Sequence, residues 1–124
     1  MGLDQYAMRI SVKPATPTDF EAETEPSELH YWRKHPNLHG WMEQLYRAKG
    51  GNSESFNCTP VELTLDDISL LEEHIKSGEL PSTRGFFFGE SSGDENEVNE
   101  DLEFCKAARK AIEAGDFVYY DSWW

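Results

Sequence analysis

The sequence predicts an α+β fold: a small, mainly antiparallel sheet of three or four strands, with about three helices packed on one face. Apolar residues partly alternate over 3–12, residues that fit a pleated surface fill 117–124, and three stretches between them repeat at helical spacing. The length, 124 residues, suits one domain spanning 1–124.

Residues 3–12 begin the sheet, with Tyr6, Met8, Ile10 and Val12 expected to share one face at period two. Pro14 and Pro17 end that strand. Residues 14–28 hold Asp19, Glu21, Glu23, Glu25 and Glu28 among prolines and threonines, and read as a solvated, flexible acidic loop. Residues 29–36 are dense in aromatic and basic side chains and fit a strand or a short helix, stopped by Pro36.

Asn37 is the expected N-cap of the first long helix. Leu38, Trp41, Met42 and Leu45 form its apolar stripe, and Gly50–Gly51 its stop. Residues 55–63 read as an edge strand with Phe56 and Cys58 on one face, because Pro60 removes a ladder donor. Thr64 and Asp67 have capping-box spacing, ahead of a helix with Ile68, Leu71 and Ile75 on its inner side and Gly78 at its end.

An acidic loop over about 90–97 leads into the third helix, with Val98, Leu102, Cys105 and Ile112 expected inward. Acids in its first turns and Lys106, Arg109 and Lys110 in its last suit the macrodipole. Gly115 ends it, and Phe117–Trp124 supplies a final strand of residues that fit a pleated surface.

Composition restricts function. Asp and Glu number 24 against 11 Lys and Arg, a net charge of −13. A nucleic-acid binder needs clustered bases to replace phosphate counterions, and an anionic membrane selects for the same bases. Direct nucleic-acid and membrane binding are therefore disfavoured. Four Trp, five Tyr and seven Phe argue against a disordered acidic chain. No apolar run approaches the roughly 20 residues that span a bilayer. The start, Met1–Tyr6, lacks a basic and apolar leader pattern, so a cytoplasmic protein is expected. Cys58 and Cys105 lack metal-type spacing and read as buried, inert thiols.

No phosphate-binding loop, nucleophile elbow or zinc-protease motif is present, so no catalytic residue is assigned and a non-enzymatic role is favoured. His35 and His39 are four apart, but Pro36 lies between them and no Asp, Glu or Cys falls within 29–42. They read as polar histidines at a helix start; no metal and no cofactor is expected.

Two sites remain. One is an acidic surface for a basic partner: Asp19, Glu21, Glu23 and Glu25 in the first run, Glu90, Asp94, Glu95, Glu97, Glu100 and Asp101 in the second. Spaced carboxylates can imitate a phosphate backbone and steer association, although such runs are also ordinary solvated faces. The other is an aromatic ligand pocket, for a small molecule or nucleotide, drawing on Asp4, Tyr6, Trp32, Arg33, His39, Trp41, Tyr120, Asp121 and Trp124, with Lys34 alongside. Phe86–Phe88 offers an anchor for a partner or a homodimer; monomer and homodimer both stay open.

Four blocks carry a resemblance: Gly2-Leu3-Asp4-x-Tyr6; Tyr31-Trp32-Arg33-Lys34 with Leu38-His39-x-Trp41; Phe86-Phe87-Phe88-Gly89; and Tyr119-Tyr120-Asp121-Ser122-Trp123-Trp124. Together they resemble a group of small proteins encoded by bacteriophages and prophages. This chain departs from the group at Gln5, often Met there, and at Asp121, often Ser. The resemblance implies a phage-derived accessory protein in a bacterial host cell, modulating a host nucleic-acid-handling or defence complex. Inhibition of a CRISPR-type complex is one form of that role. It also implies a common pocket made by the chain ends and the Trp32–Trp41 segment.

Overall fold

A computed structural model describes residues 2–83, 91 and 93–124. The chain runs β1 (Asp4–Ile10), β2 (Ser27–Trp32), α1 (Pro36–Ala48), β3 (Val61–Leu63), α2 (Leu65–Ser77), α3 (Glu95–Glu113) and β4 (Phe117–Trp123). The four strands form one antiparallel sheet in the order β2-β1-β4-β3. The two ends of the chain thus lie side by side at its centre, with Asp4 opposite Trp123 and Ile10 opposite Phe117.

Register defines the two faces, because residues paired across strands point the same way. Ala7 opposes Tyr120 and His30, Val61 opposes Tyr120, and Leu63 opposes Val118. Ala7, Trp32, Val61, Leu63, Val118 and Tyr120 from the sheet join Leu38, Met42, Tyr46, Ile68, Leu71 and Phe104 from the helices in one buried cluster. The helices therefore cover a single face, as an α+β layer requires.

Tyr6, Met8, Tyr31, Tyr119, Asp121 and Trp123 lie on the other face. The segment after β1 partly covers it, with Phe20 set edge-on to Tyr119 at a centroid distance of 5.1 Å. This segment also finishes the β3 edge. Thr18 bridges to Val61, the Glu62 amide donates to the Pro17 carbonyl, and the Asp19 amide to the Pro60 carbonyl.

Several local expectations need correction. In β1 it is Gln5 and Ala7 that are fully buried, while Tyr6 and Met8 are only half-buried and Val12 is exposed. Their alternation marks the partly covered outer face; the small Ala7 fits beneath the helices. Over 55–63 only Val61–Leu63 is strand. Cys58 sits in the left-handed region at φ 58° and is exposed, so it is not a buried thiol; Cys105 is. Phe56 is buried instead against the rings of Tyr46 and Tyr120.

The N-cap of α1 is His35, without a side-chain cap, and Pro36 opens the helix. Proline suits that position because its missing N–H is an orphan there. Asn37 is already helical, and its amide donates to Ser91 Oγ at 3.0 Å. The stripe of α3 is Asp101, Phe104, Cys105, Ala108 and Ala111, with Val98, Leu102 and Ile112 half-buried at its margin. A carboxylate thus occupies a core position.

Other signals act as read. Thr64 and Asp67 form the reciprocal capping box, and Gly78 ends α2 in the left-handed conformation. Gly50 has φ 98°, and Gly51 lies so close to the Tyr46 ring that a Cβ would stand 2.3 Å from it. No described helix is long and apolar enough to cross a membrane.

His39 is buried under β4, its Nδ1 2.8 Å from the Tyr120 hydroxyl. Burial pushes its pKa down from 6.5 to about 4, only partly opposed by a hydrogen bond to the Phe56 backbone. Between those values the unfolded chain binds a proton that the folded chain excludes. Stability therefore falls as pH drops through that window, by up to about 1.4 kcal/mol per pH unit. Chemical denaturation at pH 7, 6 and 5 should show this slope, and His39→Gln should flatten it.

Candidate functional site

The corner between β2 and α1 gathers polar chemistry. Gln5, buried on β1, clamps the corner through its side-chain amide. The His35 amide donates to Gln5 Oε1 at 2.6 Å, and Gln5 Nε2 donates to the His35 carbonyl at 3.0 Å. A fixed backbone fixes the imidazole. His35 Nε2 lies 2.7 Å from Asp101 Oδ2, and Nδ1 lies 2.7 Å from Ser91 Oγ. Trp32 Nε1 donates to the other Asp101 oxygen at 3.1 Å. Both oxygens of this buried carboxylate are thereby hydrogen-bonded, which an interior charge requires. Phe104, one turn along α3, packs edge-on to Trp32 at 4.9 Å.

Glu97 stands one turn before Asp101 and brings Oε1 to 3.7 Å from His35 Nε2. The same oxygen accepts the Gly93 amide at 2.9 Å, while Asp94 caps α3 by accepting the Glu97 amide at 2.8 Å. A cavity of about 430 Å³ opens here between the corner and α3. Tyr31 to His35 form one wall, and Asp94, Asn96, Glu97 and Glu100 the other.

A second cavity, of about 300 Å³, lies across Arg33 and is lined by Gly2, Asp4, Arg33, Trp123 and Trp124. Asp4 accepts the Tyr31 hydroxyl at 2.6 Å and stands 3.5 Å from Arg33 Nε. Trp124 Nε1 donates to the Phe56 carbonyl, and Asn57 makes two hydrogen bonds to the Trp124 backbone.

The structure divides the nine residues expected in one aromatic pocket. Asp4, Arg33 and Trp124 share the smaller cavity. Tyr6 lies beside Tyr31 on the outer face, with ring centroids 5.3 Å apart, and Asp121 opposes it on β4. Burial pushes the Asp121 carboxyl up, partly offset by the Ser122 amide that it accepts. His39 and Tyr120 are in the core. Trp41 lies between α1 and α2, where it donates to His74 Nδ1 at 2.9 Å. Trp32 faces α3, away from the smaller cavity.

The acidic residues divide as well. Glu21, Glu23, Glu25, Asp94, Glu95 and Glu100 are exposed. Asp19 is exposed but accepts the Tyr46 hydroxyl at 2.7 Å. Asp101 is only 2% exposed and is not part of any outer surface. Glu97 turns toward His35. Glu90 and the Phe86–Phe88 anchor lie outside the described residues.

Sequence reasoning gave no site role to Gln5, Ser91 or Trp123. His35 was visible, but its carboxylate neighbours come from α3, more than sixty residues along the chain. Their i,i+4 spacing, Glu97 and Asp101 on one helical face, was the available signal.

Trp32→Phe should keep the ring packing and remove one donor from Asp101. Leaving a buried carboxylate oxygen unpaired costs about 1–3 kcal/mol, read as a lower midpoint in urea. Tyr31→Phe, on an exposed hydroxyl, should cost less than about 0.5 kcal/mol.

Comparison of the chain with protein-family models, with curated proteins and with solved structures finds no match.

Proposed function

We propose that this protein is a non-enzymatic binding module that grips a cationic protein surface with the acidic edge of its sheet. One observation carries the reading: the two acidic runs, distant in sequence, converge at β2. The His30 ring, near Phe104 of α3, sits in the field of the exposed Glu28 from one run and Glu100 from the other. Its pKa is nonetheless lowered, because burial outweighs those carboxylates.

The distribution of ion pairs supports this. Arg9, Lys13, Arg33, Arg47, Lys49 and Arg109 pair with Asp116, Glu62, Asp4, Glu43, Asp67 and Glu72. Those acids lie outside both runs. Among the described residues no ion pair involves Glu21, Glu23, Glu25 or Glu28. Among the described residues Glu54, Glu73 and Glu113 are likewise outside the ion pairs, but the acidic run ahead of β2 places several such carboxylates along one sheet edge, where they can steer a basic partner. With the resemblance to phage-encoded proteins, that partner is a host protein that itself handles nucleic acid. A CRISPR-type defence complex is one such target.

The smaller cavity favours a second reading, a planar anionic ligand held by Arg33 between Trp123 and Trp124. Arg33→Ala would then abolish ligand binding without unfolding the chain.

The test is capture of partners from a bacterial lysate by the tagged protein, washed at about 0.1 M and about 1 M salt. Between these the Debye length falls from about 10 Å to about 3 Å. The bound partner should be lost at high salt. Reversing Glu21, Glu23 and Glu25 to Lys should also release it, whereas reversing Glu54, Glu73 and Glu113 should not. Salt-independent binding, or equal effects of the two reversals, contradicts the reading.

A further inference from the structure

We propose that His35, Glu97 and Asp101 form a binding site for a divalent transition-metal ion, open to the cavity beside them. Each residue offers one ligand atom, and these atoms all lie within 4.8 Å of one another. Ligands held at about 2.1 Å on a tetrahedral ion stand about 3.4 Å apart. His35 Nε2 is 2.7 Å from Asp101 Oδ2 and 3.7 Å from Glu97 Oε1, values that bracket this spacing. The third pair, Glu97 with Asp101, lies within 4.8 Å, so side-chain rotation closes the set around an ion.

The surroundings are those of a held ligand set. Trp32 Nε1 occupies Asp101 Oδ1 and leaves Oδ2 facing inward. Ser91 Oγ is within hydrogen-bond distance of His35 Nδ1. With the ring proton on Nδ1, the imidazole donates to Ser91 Oγ and presents the Nε2 lone pair to the ion. Such outer hydrogen bonds orient metal ligands and fix the tautomer. Gln5 immobilises the backbone that carries the ring.

Access and donor chemistry select the ion. The His35 and Asp101 side chains are 3% and 2% exposed, and Glu97 is 17% exposed, so the ion enters past Glu97. The cavity of about 430 Å³ there leaves room for water at the remaining positions. One imidazole and two carboxylates suit Zn²⁺ or Mn²⁺; Ca²⁺ takes six to eight oxygens, and Mg²⁺ keeps its waters. This proposal is independent of the cationic-partner reading.

The experiment titrates Zn²⁺ by calorimetry into chelator-treated protein carrying Cys58→Ser, which removes the exposed thiol. One equivalent should bind with a dissociation constant of about 10 μM or tighter. Glu97→Gln should weaken it about tenfold or more, and Glu100→Gln, on the same cavity wall, should leave it unchanged. Co²⁺ added to the unsubstituted protein should broaden the His35 ring signals in NMR before those of His30 or His74, a readout that needs no variant. The site is overturned if about 100 μM Zn²⁺ does not bind, if Glu97→Gln and Glu100→Gln behave alike, if Mg²⁺ binds as well, or if another histidine broadens first.

Discussion

One buried carboxylate ties the molecule together. Asp101 lies on the inward stripe of α3, where an apolar residue would ordinarily sit. Its two oxygens are taken by Trp32 at the end of β2 and His35 at the start of α1. An interior charge is tolerated only with such partners, and removing one leaves the penalty in place. The interaction therefore sets where α3 crosses the sheet and where the β2–α1 corner turns. It also borders the cavity of about 430 Å³, whose walls are that corner and the first turns of α3. Gln5 supports the arrangement from β1, so four elements meet at one polar junction.

This junction also sets acidic groups of α3 beside β2. Packing α3 against β2 brings the first turns of α3, rich in Glu, to the strand edge that continues from Glu21, Glu23 and Glu25. Several bases are engaged with acids outside the two runs. Lys49 neutralises Asp67 inside the α2 cap, Arg109 joins Glu72 between α2 and α3, and Arg9 joins Asp116. These pairs contribute modestly to stability when exposed.

Much of the fold was legible in the sequence because its signals are local. Thr64 with Asp67 starts α2 and Gly78 stops it; Gly50 stops α1; the density of aromatic and β-branched residues over 117–124 gives β4. The misread parts depend on distant partners. The burial of Gln5 and Ala7 follows from what the helices place above β1, which no period within β1 reveals. The stripe of α3 moves by about one position because Asp101 finds Trp32 and His35, more than sixty residues away. The start of α1 uses Ser91 in place of a local cap. The site was harder still. His35 and His39 suggested a pair by spacing, yet Pro36 sends one to the junction and the other beneath β4. Two aromatic sites were merged into one in the sequence reading, because a strand end and a helix start cannot be told apart by composition.

The energetic coupling of His35 and Asp101 tests the account most directly. A double-mutant cycle with His35→Ala, Asp101→Ala and the double substitution, followed by urea unfolding, isolates it. The account predicts that the single substitutions cost far more in sum than the double, with a coupling of about 1.5–3 kcal/mol, as for a hydrogen bond to a buried charge. Costs that add to within about 0.5 kcal/mol would show two independent residues and no junction.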